Sequence, residues 1–143
     1  MAWSRKNGPL AEMMLFNLVV VFDPARKHVL MCRRSKAPYK GLLNFVGGKI
    51  ERGEDHQASA YRELQEETAI PPDQILLTHV MDLTYPMEDC VMKVYTGILR
   101  TPIKVCGEEN ELLWVPVSAD FSDITQFAGY GNIYHIMSYI LAN

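Results

Sequence analysis

Apolar residues run almost unbroken over residues 13–22, a β-branched and aromatic series interrupted only by Asn17. Such a run reads as a strand buried on both faces. Asp23-Pro24-Ala25-Arg26 supplies turn chemistry, and residues 28–33 return as a second strand. A short third strand is expected over residues 42–46, ending in Gly47-Gly48, where the backbone can take conformations closed to other residues. The period then becomes helical over residues 55–68: Asp55 can act as N-cap, and Ala58, Tyr61, Leu64 and Thr68 recur along one side. Pro71-Pro72 forbids continuation.

Residues 75–84 and 90–99 read as two further strands joined through Tyr85-Pro86, and residues 112–117 as another. Ile133, Ile136, Met137, Ile140 and Leu141 follow the i, i+3, i+4, i+7, i+8 spacing of a core-facing amphipathic helix. Strands, helix, more strands and a last helix fit a mixed sheet with helices on its faces better than strict βαβ repetition. With 143 residues and no repeat, linker or low-complexity segment, one domain is expected over residues 1–143.

Composition narrows the function classes. Seventeen acidic against 14 basic side chains give no basic surplus, so duplex nucleic acid is not an expected partner. A small anionic ligand stays open, because a bound cation can invert the local field. Cys32, Cys90 and Cys106 are odd in number and form no CxxC pair, which points to reduced thiols rather than a disulfide framework or thiolate zinc. Residues 1–10 carry Arg5 and Lys6 with no long apolar stretch, so no secretory leader is expected. The apolar run at 13–22 is too short for a bilayer. A soluble, cytoplasmic protein, monomer or homodimer, is the expectation.

The chemically informative stretch begins at the glycine turn and continues into the first helix. Glu63, Glu66 and Glu67 stand at i, i+3 and i+4, so their carboxylates project from one side. Like charges at that spacing cost a few tenths of a kcal/mol per pair. A hard divalent cation would offset the cost; the bland alternative is a solvated acidic face. Two features favour the cation. Gly47-Gly48 immediately precedes the helix, so its backbone can approach the same ion or a phosphate, and Glu54 and Arg62 are placed to pair across the loop–helix junction.

Residues 48–70 resemble the Nudix box, G-x5-E-x7-R-E-U-x-E-E-x-G-U with U a bulky aliphatic residue. Gly48, Glu54, Arg62, Glu63, Leu64, Glu66, Glu67 and Ile70 match, and Ala69 stands where the motif has glycine. The surrounding string Phe45-Val46-Gly47-Gly48-Lys49-Ile50-Glu51 is similar to the MutT-like branch, with Val46 where a proline is common. The resemblance implies an α/β/α sandwich and a hydrolase acting on phosphoric anhydrides. It implies Mg²⁺, or Mn²⁺ in its place, held by Glu63, Glu66 and Glu67 with the Gly47 carbonyl. Glu63 or Glu66, or a residue on a later loop, would serve as general base, and Glu54 and Arg62 as supports.

A further acidic ligand usually comes from outside the box; Glu108 and Glu109 occupy roughly that place, with an acidic surface turn as the alternative. Arg34, at the end of the second strand, suits a phosphate contact or simple exposure, and Lys49 a phosphate or solvent. Asn132 would read a base edge or cap the last helix. Phe45 and Tyr85 would line a base pocket or belong to the core, Gly48 would lie against the substrate, and the four histidines show no mutual metal spacing. The implied substrate is a (deoxy)nucleoside triphosphate, 8-oxo-dGTP among them. The alternatives are ADP-ribose or a nucleotide sugar, for which Pro86 lies near a marker position, and a non-catalytic nucleotide sensor.

Overall fold

A computed structural model describes residues 13–143; the expectation of no leader in residues 1–10 lies outside them. Seven strands, β1 (Met14–Phe22), β2 (His28–Arg33), β3 (Leu43–Asn44), β4 (Val46–Lys49), β5 (Thr78–Tyr85), β6 (Cys90–Ile98) and β7 (Glu111–Pro116), are joined by two helices, α1 (His56–Thr68) and α2 (Asn132–Ala142). All seven belong to one mixed sheet whose main path runs β3-β2-β1-β6-β5, with β4 paired to β1 and β7 to β2. β1 and β6 are parallel and in register over their whole length, from Met14 opposite Cys90 to Phe22 opposite Ile98.

The apolar run at β1 is buried on both sides because its neighbours in the sheet are themselves covered. Val20 and Phe22 join one core with Ile133, Ile136, Met137 and Ile140 of α2. Val19 and Val21 join the other with Ala60 and Leu64 of α1. β2 divides in the same way, Val29 and Met31 toward α2, Leu30 and Cys32 toward α1. The period-2 geometry of a strand thus feeds two cores from one sequence, and the sheet lies between the two helices as an α/β/α sandwich.

Three details depart from the sequence reading. Residues 42–46 are not one strand: Leu43–Asn44 pairs with β2, Val46–Lys49 pairs with β1, and Phe45 lies where the chain changes partner. Gly47 and Gly48 therefore sit inside β4, opposite Leu18 and Asn17. The fifth strand begins at Thr78, because residues Pro72–Gln74 form a 3-10 turn and Ile75 and Leu77 are buried in the linking segment. The buried side of α1 is Ser59, Ala60, Leu64 and Thr68; Ala58 faces solvent and Tyr61 packs at the margin.

Candidate functional site

α1 starts where Asp55 caps it, its carboxylate accepting from the Ala58 amide at 2.9 Å. The helix ends at Ala69, which takes the left-handed conformation (φ 68°) usually reserved for glycine. Between these ends Arg62 organises the acidic side chains. Its Nε donates to Glu54 Oε2 at 2.6 Å and its Nη2 to Glu54 Oε1 at 3.0 Å, a two-pronged pair that ties the loop to the helix. Its Nη1 reaches Glu63 Oε1 at 3.1 Å and Glu66 Oε1 at 3.2 Å, and Nη2 also donates to the Lys49 carbonyl at 3.3 Å. The hydrogen bonds from Arg62 hold the Glu54 carboxyl down at about 2.

Glu63 and Glu67 experience the opposite field. Burial raises the Glu63 carboxyl, against the pull of Arg62 and with Glu66 adding to the rise. Glu67 is pushed up to about 7, by burial first and then by the negative charges of Glu63, Glu108, Glu109 and Glu66. Glu108 and Glu109 are exposed on the loop before β7, so that loop does bring its acids into the field of the helix. The charge of Glu67 also reaches Cys32, whose thiol burial raises to about 11. Among the described residues, no three acidic, histidine or cysteine side chains converge tightly enough to hold an ion unaided. One oxygen each of Glu63 and Glu66 is engaged by Arg62 instead. The donor chemistry nonetheless fits a hard cation: oxygen-only ligands, half-buried, crowded with like charge.

The glycines are required by close approach. A Cβ on Gly48 would stand 2.4 Å from the Glu63 carboxylate, and one on Gly47 would stand 2.1 Å from the Asn17 carbonyl oxygen. The Gly48 amide is committed to Asn17 Oδ1 at 3.2 Å, so what Gly48 contributes here is room rather than a free donor. Asn17, 1 % exposed, also donates to Ser59 Oγ at 3.0 Å. This buried amide pins β4 to α1 and was not singled out as a site residue. Its signal was present in the sequence, as the lone polar residue in the run at 13–22.

A pocket of about 250 Å³ opens on the other side of β1. Leu18, Met92, Ile133 and Ile136 form its apolar lining, with Tyr39, Tyr85, Asn44, Glu88 and Asn132 supplying polar groups. Asn132 is not the cap of α2; that place is taken by Gly131 in the left-handed region, and the Asn132 amide donates to the Tyr85 hydroxyl. Phe45, by contrast, is 2 % exposed within the α2-side core and presents no surface to a ligand. Arg34 is half-buried and spends its Nε on the Pro38 carbonyl, which orients its guanidinium next to the pocket residue Tyr39. Lys49 is exposed.

The family model of the NUDIX domain matches residues 16–126. The chain belongs to the Nudix family. A stretch of 54 residues is 39 % identical to the 8-oxo-dGTP diphosphatase of Escherichia coli, covering 38 % of this chain and 42 % of that protein. The match thus spans less than half the length of the curated relative. Among solved structures, the Nudix domain resembles a bifunctional NMN adenylyltransferase/ADP ribose pyrophosphatase from Francisella tularensis, with TM-score 0.75, 17 % identity, and coverage of 99 % of this chain and 44 % of that one. It also resembles the NUDIX domain of Shewanella oneidensis NrtR, complexed with ADP ribose, with TM-score 0.70, 19 % identity, and coverage of 91 % and 87 %. At those identities the likeness is one of fold. No helix among the described residues is long and apolar enough to cross a membrane.

Proposed function

We propose that this Nudix domain hydrolyses the diphosphate linkage of a (deoxy)nucleoside triphosphate, 8-oxo-dGTP among the candidates, giving the monophosphate and pyrophosphate. The observation that carries the reading is the state of Glu67: a half-buried carboxylate raised to about 7 by burial first and then by the charge of four neighbouring acids. Folding has gathered negative charge there that a solvated acidic face would disperse. Mg²⁺ (or Mn²⁺) bound by Glu63, Glu66, Glu67 and Glu109, with the Gly47 carbonyl, would neutralise phosphate charge and lower the pKa of its water.

The residues of this chain then divide the remaining work. Glu63 or Glu66 accepts the proton of the attacking water, and both are already held in place by Arg62. Glu54 fixes Arg62 in turn. Arg34 and Lys49 are the cations available to the phosphate chain. The pocket beside Asn132 takes the base, its tyrosines and apolar lining suiting a flat heterocycle. Three free cysteines agree with a reducing, cytoplasmic setting.

Pyrophosphate release and product analysis across nucleotides, with and without Mg²⁺, tests the proposal. A triphosphate yielding monophosphate and pyrophosphate only when metal is present supports it. AMP plus ribose 5-phosphate from ADP-ribose would replace it with the reading that the two ADP-ribose-related fold neighbours suggest. Binding without turnover of any nucleotide would make the protein a sensor.

A further inference from the structure

The pocket lined by Asn132 contains a charged group that the hydrolysis itself does not use. Glu88 stands at its rim, on the 3-10 turn Pro86–Glu88 between β5 and β6. The turn is fixed at its far end: Asp89 adopts the left-handed conformation, its amide donates to the Pro86 carbonyl, and its own carbonyl accepts from the Met14 amide at 2.7 Å. Among the described residues Glu88 has neither a hydrogen-bond nor an ion-pair partner, although Arg62, Lys93 and Arg33 all find carboxylates elsewhere. Its charge is felt inside the pocket. Burial raises Cys90, and Glu88 is the next contribution; Tyr85 and Tyr39 are likewise raised by burial first, with Glu88 among the further causes.

The other polar groups add acceptors to the same rim. Asn132 spends its amide N–H on the Tyr85 hydroxyl, so its carbonyl oxygen is free of protein donors among the described residues. Guanine offers a carboxylate two adjacent donors, N1–H and the exocyclic N2 amine, which one carboxylate can take together. Adenine offers an acceptor at N1 beside its N6 amine, and a carboxylate facing that edge meets a lone pair with a negative charge. We propose that Glu88 is a specificity-determining residue that selects the guanine-type edge and rejects adenine nucleotides. The inference rests on the pocket being the base site, as the preceding reading has it. It turns the open choice between triphosphates and adenine diphosphates into a property of one side chain.

Replacing Glu88 by glutamine gives a test that failure to fold cannot imitate. A primary amide carries one donor and one acceptor side by side, which matches the adenine edge. Calorimetric binding of dGMP and dAMP is to be measured on wild type and Glu88→Gln, together with kcat/KM for dGTP and dATP. Wild type should prefer the guanine nucleotide by about tenfold or more, as expected of one bidentate pair. Glu88→Gln should gain dAMP affinity, by about fivefold, while losing dGMP affinity. Equal affinities in wild type, or an unchanged preference in the variant, overturn the inference and leave the hydrolase reading standing. A preference that shifts toward dAMP as expected in a protein that hydrolyses nothing upholds the inference and removes the hydrolase reading. Failure of both nucleotides to bind wild type removes the inference as well.

Discussion

The two ends of the proposed site are built on different principles. At the carboxylate end one arginine makes five contacts with Glu54, Glu63, Glu66 and the Lys49 carbonyl, and the strand beside it is locked by a fully buried asparagine. At the pocket end, apolar surface does the shaping, and the hydrogen bond from Asn132 to Tyr85 links two of its polar side chains. The first arrangement should tolerate substitution poorly, because each group is the partner of another. The second can change one side chain at a time. A chemistry held constant beside an adjustable recognition surface is what would let one fold serve many nucleotides.

The sharpest way to break that contrast is at Glu67. Glu67→Gln removes a proposed metal ligand and should abolish turnover, measured as kcat with saturating Mg²⁺. The same change should stabilise the metal-free protein at pH 8. Folding raises this carboxyl from its ordinary 4.5 to about 7, so the folded state holds the proton more tightly than the unfolded chain. That contribution is complete below about pH 4.5 and is lost as the pH rises through 7. Thermal melts in EDTA at pH 5 and pH 8 should show the variant gaining on wild type only at the higher pH. A variant less stable at pH 8 would mean the crowding of charge is not real.

Arg62→Lys keeps the charge and loses the planar fork, so Glu54, Glu63 and Glu66 can no longer be held together. Activity should fall about 10–100-fold, the range for groups that orient metal ligands. Full activity in this variant would show that the network is decorative. Asn17→Ala leaves the half-buried Gly48 amide unpartnered and removes the donor to the buried Ser59 hydroxyl, and should cost about 2 kcal/mol in urea unfolding.

The pocket end should respond more gently. Tyr85→Phe removes the acceptor of the Asn132 amide and should raise KM about fivefold with kcat unchanged, in line with about 1 kcal/mol for one hydrogen bond. A fall in kcat alone would merge the two ends into one machine. The smallest effect is expected outside both. Ala69→Gly relieves a left-handed alanine at an exposed helix end and should stabilise the protein by about 1 kcal/mol, a rise in Tm of about 4 °C.

The contrast also explains what could be read from the chain. Glu54, Arg62, Glu63, Glu66 and Glu67 lie within one loop and one helix, where sequence spacing is spatial spacing, so their grouping was visible as a pattern. The strands β1 and β2 are legible too, through short apolar runs that match burial of both faces in the two cores. Tyr39, Asn44, Tyr85, Glu88 and Asn132 come from three stretches of chain, residues 39–44, 85–88 and 132, that meet only because the sheet and α2 bring them together. No local period announces such a set, and nothing in the sequence sets Glu88 apart from other acidic residues. From its place beside a glycine Asn132 reads as a base contact or as a cap, yet Gly131 itself takes the cap position in the left-handed region. Phe45 reads equally for a base pocket or for the core, because the change of strand partner at 44–46, which buries it, is a tertiary event.

β1 is a seam common to both halves of the molecule: Val19 and Val21 belong to the side of the carboxylate helix, Val20 and Phe22 to the side of α2. Neither half can come loose while that strand stays intact, and neither survives its departure. Amide protons of residues 19–22 should therefore exchange only through global opening, at the slowest rate in the protein. A nucleotide seated on one side would then slow exchange on the other by mass action, without any displacement of atoms between them.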